Sequence, residues 1–182
     1  MRRILFIPVL LLFLCVSKFG MAFDNHRRGF IIGGGGGISY NVFHYVDDDI
    51  ETDDESISST LYHLDFRIGS GENNDKLMAY YWLRPYMPPI YIIQMFGVSF
   101  YLKQHAPSLY FNAGAGIAGI IIVGPGFIGG IGYEFGPHWS MELGIIYVGP
   151  KVISPLYLFG DTSAVYDLSS LAIRLSLIGI AY

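Results

Sequence analysis

The stretch GIGYEFGPHWSMELGIIY, Gly130–Tyr147, decides the fold. Ile131, Tyr133 and Phe135 alternate with Gly132 and Glu134 before a Gly-Pro-His break. After it, Trp139, Met141, Leu143, Ile145 and Tyr147 alternate with Ser140, Glu142 and Gly144. A period of two puts the two sets on opposite faces of a strand. Directly paired residues of a hairpin face the same way. If Phe135 pairs with Trp139, then Tyr133 pairs with Met141, Ile131 with Leu143, and Glu134 with Ser140. That register predicts a three-residue loop, Gly136-Pro137-His138. A two-residue loop sets a charge against an apolar partner. The stretch is therefore a hairpin with one apolar face and one small or polar face.

Working outward, seven further features agree. The strand pattern continues in GFIIGGGGGISYN (29–41), TLYHLDFRIGSG (60–71), LMAYYWLR (77–84), IYIIQMFGVSFYL (90–102), LYFNAGAGIAGII (109–121) and SSLAIRLSLIGIAY (169–182). With GFIGGIGYEFG (126–136) and HWSMELGIIYVG (138–149) these make eight strands. In 60–71, Tyr62, Leu64, Phe66 and Ile68 share one face and His63, Asp65 and Arg67 the other. The segments 90–102 and 109–121 alternate poorly and rest on length and flanking turns. Seventh, the composition is 52% hydrophobic and 14% charged, with 23 Gly, 14 Tyr and 13 Phe. A soluble domain of this length has too little interior for so much apolar side chain. Lipid is the simpler destination.

Only helices and closed barrels pair every backbone polar group in lipid. The run AGAGIAGIIIVGPGFIGGIGY, Ala113–Tyr133, has the length of a spanning helix, but it is rich in glycine, broken at Gly124-Pro125-Gly126, and has no companion. Spanning strands need only about 9–11 residues, alternating outward-apolar and inward-polar. The expected fold is thus all-β: an eight-stranded antiparallel up-and-down transmembrane β-barrel, preceded by an N-terminal signal peptide.

The opening MRRILFIPVLLLFLCVSKFGMAF has the layout of that signal: Arg2 and Arg3, an apolar run from Ile4 to Val16, then Gly20 and Ala22 at −3 and −1 of a cut before Phe23. We assign 1–22 to the signal peptide and 23–182 to the barrel. Cys15, the only cysteine, falls in the removed part, so the mature chain has no disulfide or thiolate chemistry. The acidic balance and the lack of a basic patch argue against nucleic acid.

The connections alternate in length. Glu72–Lys76, Lys103–Ser108 and Gly136–His138 are short; Phe43–Ser59 and Pro150–Leu168 are long; Pro85–Pro89 and Ile122–Pro125 are short members of the long set. With both chain ends in the periplasm, the long loops face outward, as barrels prefer.

These residues resemble the small outer-membrane β-barrel proteins of the OmpA-like and OmpX-like kind. The likeness is carried by GFIIGGGGGISYN after a signal, the hairpin GIGYEFGPHWSMELGIIY, and a closing strand ending on Tyr182. It covers nearly the whole mature chain and implies architecture, with little implied about activity. It implies outer-membrane lipid and lipopolysaccharide as surroundings and the barrel-assembly machinery, reading the terminal aromatic, as a partner. Ile178, Ile180 and Tyr182 fit that terminal pattern; Leu171, Ile173, Leu175 and Leu177 lie on the other face, and a β-bulge would switch the phase.

The inward polar set is His63, Asp65, Arg67, Glu134, Glu142 and Arg174. Side chains fill an eight-stranded barrel, so we expect an ion-paired plug rather than an ion path. Arg67, Glu134 and Glu142 are expected at one depth near the periplasmic third, and His63, Asp65 and Arg174 nearer the middle. His138 and Ser140, with Glu134 or Glu142, are similar to the His-x-Ser of lipid A deacylases of the PagL type. Met141 and Glu142 replace the small residues that follow the serine there, and the motif sits on a periplasmic turn. A turn role is therefore expected, and no enzyme. The acidic run Asp47–Ser56 reads as a solvated loop. Asp47, Asp49, Asp53 and Asp54 are its weak Ca²⁺ candidates, off the EF-hand spacing. Gly33–Gly37 lacks the Lys-Ser/Thr of a phosphate loop and eases curvature beside the closing strand. Tyr80, Tyr81, Trp82 and Tyr86 are expected as an interface belt near the outer rim. No cofactor is expected. The expected role is structural, or the presentation of outer loops to surfaces or host molecules.

Overall fold

A computed structural model describes residues 26–46, 55–87, 92–119, 124–149 and 167–181. The N-terminal segment read as a signal peptide, the four loop aspartates and Tyr182 lie outside them. The described residues form eight strands: β1 (Gly29–Val46), β2 (Glu55–Gly71), β3 (Leu77–Met87), β4 (Ile92–Tyr101), β5 (Ser108–Ala118), β6 (Gly124–Gly136), β7 (Trp139–Val148) and β8 (Asp167–Ala181). Each strand pairs antiparallel with the next, and β8 pairs with β1 to close the barrel. The run Ala113–Tyr133 contributes β5 and β6, and no helix of the described residues is long and apolar enough to span a membrane.

The pairing traces the closure. Leu77 faces Phe100, then Phe111, Ile131, Leu143, Leu175, Ile38 and Tyr62 follow, and Tyr62 returns to β3 at Met87. The path meets β3 further along than it left, the stagger that tilted strands need to close. Every residue on this path is apolar and outward. Phe96 is 75% exposed, Tyr62 66% and Leu143 58%. Left in water, each such side chain forgoes roughly 1.5–3 kcal/mol of burial. A closed wall with this exterior is built for the hydrocarbon of a bilayer.

The structure corrects four expectations. Phe43–Ser59 and Pro150–Leu168 are not wholly loop. β1 and β2 stay paired out to Tyr45 and Glu55, and β8 begins at Asp167. In the deciding hairpin, Ile131–Leu143, Tyr133–Met141 and Glu134–Ser140 pair as expected. Trp139, however, pairs with Gly136 rather than Phe135. A bulge there leaves Pro137-His138 as a two-residue turn, and the bulge absorbs the mismatch that argued against so short a turn. Finally, β8 has no bulge. Its pairing with β1 and β7 is unbroken, so Leu171, Ile173, Leu175 and Leu177 face out, and Ile178 and Ile180 are buried inside below Arg174 and Ser176.

β4 and β5 do alternate in space. Ile93, Met95 and Tyr101 point in while Phe96, Val98 and Phe100 point out. Both faces of β4 are apolar, which erased the sequence pattern.

Candidate functional site

The candidate site is the lumen, and glycines in the wall set its shape. A Cβ on Gly132 would fall 2.1 Å from the Tyr110 ring, and one on Gly37 would fall 2.9 Å from His63 Nε2. These gaps let side chains lie along the inner wall and reach the strand beyond. Tyr110, on β5, crosses Gly132 of β6 to donate its hydroxyl proton to Glu142 Oε1 on β7 at 2.7 Å. His63, on β2, crosses Gly37 of β1 to meet Ser176 Oγ on β8 at 2.9 Å. Gly33–Gly37 thus serve close approach: Cβ atoms on Gly35 and Gly37 would fall 2.2 and 2.0 Å from β8 carbonyl oxygens.

The central tier is one ion-paired network. Arg67 donates both terminal nitrogens to Glu142, at 2.8 and 2.7 Å, in a bidentate fork. Its Nε reaches Asp65 Oδ1 at 3.2 Å. Arg174 Nη1 donates to Glu142 Oε2 at 2.9 Å and to Ser176 Oγ at 3.1 Å. Arg84 pairs with Asp65 Oδ2 at 2.5 Å, and the Trp82 indole N–H donates to Asp65 Oδ1. Three guanidiniums surround the Trp82 ring, with Arg67, Arg84 and Arg174 Cζ 4.0, 4.3 and 5.0 Å from its centroid. The ring's negative face favours cations at these distances.

A second tier lies at the end with the short turns. Arg27, just ahead of β1, donates to the carbonyls of Asp75 (3.0 Å), Lys103 (2.8 Å) and Gln104 (2.8 Å). Its other nitrogens pair with Glu134, and its Cζ lies 4.0 Å from the Tyr101 ring centroid. Tyr101 in turn stacks on Tyr110. One arginine therefore ties the entry of the chain to two turns and to β6.

His63, Asp65, Arg67, Glu142 and Arg174 come together in the central tier; Glu134 does not. It was expected at the depth of Arg67 and Glu142, but Arg27 claims it. Sequence reasoning passed over Arg27 and Arg84. The aromatic belt is also corrected: Tyr80, Trp82 and Tyr86 are buried inside, and only Tyr81 looks outward, donating to Gln94 Oε1 at 2.7 Å. A signal for this was present. Tyr80, Trp82, Arg84 and Tyr86 share one face of β3, and an arginine mid-strand belongs inside.

His138 and Ser140 are each engaged by other partners. His138 Nδ1 lies 3.0 Å from the Ile180 carbonyl oxygen, and Ser140 is buried and accepts the Tyr110 hydroxyl at 3.0 Å. No group of three His, Cys, Asp or Glu among the described residues is arranged to hold a metal.

No protein-family model matches the chain, and no curated protein matches it in sequence. In structure it is similar to Neisserial surface protein A, at 14% identity and a TM-score of 0.45, covering 83% of this chain and 96% of that one. It is similar to Ail, the attachment invasion locus protein of Yersinia pestis, solved with the heparin analogue sucrose octasulfate. There the identity is 11%, the TM-score 0.44, and the cover 82% of this chain and 98% of that one. For the outer membrane protein OprG from Pseudomonas aeruginosa the values are 11%, 0.41, 86% and 96%. The described strands themselves close into an eight-stranded antiparallel up-and-down barrel.

Proposed function

We propose that the chain is exported to a Gram-negative outer membrane, inserted there by the barrel-assembly machinery, and works without catalysis. It is a closed scaffold in contact with lipopolysaccharide, and the connections Phe43–Ser59 and Pro150–Leu168 are its means of meeting surfaces or host molecules. The observation that carries this reading is the sealed cross-section. Asp65, Arg67, Arg84, Glu142, Arg174 and Trp82, from four strands, are each no more than 2% exposed. So little exposure leaves no water-wide gap around these side chains, which supports a lumen closed to solute. Ser140 is equally shut off from lipid, which argues against a hydrolase.

The test is conductance of the full chain in planar bilayers. The expected trace is flat; ohmic single-channel steps would overturn the closed-scaffold reading. In parallel, Ser140→Ala should leave acyl release from lipopolysaccharide at background, as in the parent. Acyl release by the parent that disappears in the variant would instead show an enzyme.

A further inference from the structure

The outer end of the wall is uneven, and the unevenness leaves one strand edge bare. β1 and β2 pair without a break from Gly29–Gly71 out to Tyr45–Glu55. On its other side β2 meets β3 only as far as Tyr62, which pairs with Met87, the last residue of β3. Among the described residues no strand pairs with Glu55–Leu61 on that side. Residues 88–91 alone connect β3 to β4, and Pro88 and Pro89 have no N–H to give. So short a connection, which must return to β4, cannot run alongside the whole of Glu55–Leu61, a length of roughly 20 Å.

This overhang stands clear of the membrane. The outward face of β2 carries Ile68, Phe66, Leu64 and Tyr62 within the wall, then Thr60, Ser58 and Ser56. The last three are exposed. The change from apolar to hydroxyl marks where lipid gives way to water, and Tyr62 sits at the boundary that aromatics favour. An antiparallel ladder bonds alternate residues to either side. Every second N–H and C=O of Glu55–Leu61 therefore points away from β1, to where a further strand would lie. Sheet edges in water are normally blunted by lysine, proline or a bulge. This one has none: it reads ESISSTL, and its register with β1 is unbroken. On the opposite face Ile57 is 62% exposed, an apolar side chain left in water beside the edge.

We propose that the edge Glu55–Leu61 takes up an extended segment of a partner polypeptide as an added antiparallel strand. The segment places an apolar residue beside Ile57 and basic residues at its own C-terminal end. This deepens the reading of the outer connections as a contact surface, and rests on it. Direction and charge follow from the chain. β2 descends from its tip toward the membrane, so an antiparallel segment climbs and ends at the tip. There Asp47–Glu55 carries seven acids, and no lysine or arginine follows before Arg67. A second copy of the chain does not fit. In the same bilayer its β2 also descends, so the two edges would run the same way, tip beside tip, with like charges adjacent.

The experiment uses the full chain in phospholipid nanodiscs. The probe is an end-capped peptide of alternating threonine and valine with a run of lysines at its C-terminal end. Amide hydrogen exchange is followed residue by residue. On adding the peptide, every second amide of 55–61 should slow by roughly tenfold or more, and the rest of the barrel should not change. A peptide with the same lysines but proline at alternate positions should give no protection, because it keeps the charge and loses the ladder N–H groups. Moving the lysines to the N-terminal end should weaken binding, most clearly at low salt. Slow exchange at the same amides before any peptide is added would show that the chain covers its own edge, and would overturn the proposal. So would equal binding by the proline peptide or by the one with its lysines moved, which is attraction by charge alone. Absence of protection by any peptide, with the bilayer conductance still flat, would remove the added strand and leave the closed scaffold standing.

Discussion

The two charged tiers of the lumen are built on opposite plans. At the turn end, Arg27 meets Glu134 and also donates to backbone carbonyls of two turns. In the middle, three arginines share two carboxylates around a tryptophan, with side chains as their partners among the described residues. The first plan is local: Arg27 fastens backbone that would otherwise end the barrel loosely. The second is collective: no pair in it is private, and while Asp65 joins β2 to its neighbour β3, Glu142 reaches strands that are not its neighbours in the wall. Glu142 on β7 joins β2, β5 and β8. Loss of a member should therefore spread across the section in the middle and stay near the rim at the end.

Glu142→Gln breaks the middle plan most severely. Arg67 and Arg174 would lose the charge they share, in a layer that water does not reach. Removing one partner of a buried pair costs about 3–5 kcal/mol, and we expect the upper end because two cations are orphaned. The check is the unfolding midpoint in detergent, with hydrogen exchange rising in β2, β7 and β8 together. Arg27→Met should cost less, about 3 kcal/mol, because water at the rim can reach the freed carbonyls. Its exchange signature should be confined to residues 72–76, 102–107 and the start of β1. A uniform rise in both variants would erase the distinction between the tiers.

The same contrast explains what the sequence made legible. β2, β6 and β7 carry apolar residues on one face and charges or glycines on the other, so their phase, and with it Asp65, Arg67, Glu134 and Glu142, could be read directly. β3 and β4 place Tyr80, Trp82, Met95 and Tyr101 inside, opposite Tyr81, Phe96 and Phe100 outside. Tyrosine and tryptophan suit a lipid rim and a polar interior equally well, so alternation there is silent. Arg84, on the inward face of β3, was the signal that could break the tie there, and it was passed over. The partners were harder still. Arg27 and Glu134 lie 107 residues apart, and strand tilt decides which carboxylate meets which arginine. Two arginines on inward faces were legible as lumen residues; their choice of partner was not.

Gly132→Ala sharpens the comparison by entering the middle tier without touching a charge. The new methyl would fall 2.1 Å from the Tyr110 ring, so the ring must swing off Glu142. Overpacking of this kind costs about 1–3 kcal/mol. We expect about 2 kcal/mol by denaturant titration. In Tyr110→Phe the ring no longer has a hydroxyl to lose, so the added cost of Gly132→Ala should shrink in a double-mutant cycle. An unchanged cost would mean that the glycine serves the wall rather than the hydroxyl's reach.

The smallest expected effect belongs to Ser140→Ala. Its hydroxyl accepts the Tyr110 proton at 3.0 Å, but the same proton is offered to Glu142 at 2.7 Å. With the stronger, charge-assisted acceptor still in place, Tyr110 keeps a partner and no buried donor is stranded. An ordinary hydrogen bond contributes about 0.5–1.5 kcal/mol, and the remaining acceptor should hold the loss near 0.5 kcal/mol. The unfolding midpoint checks it, compared with Glu142→Gln under the same conditions. A loss from Ser140→Ala as large as that from Glu142→Gln would show that the serine, and not the shared carboxylate, anchors Tyr110 across Gly132. The middle tier would then be a set of separate pairs, like the one at the rim.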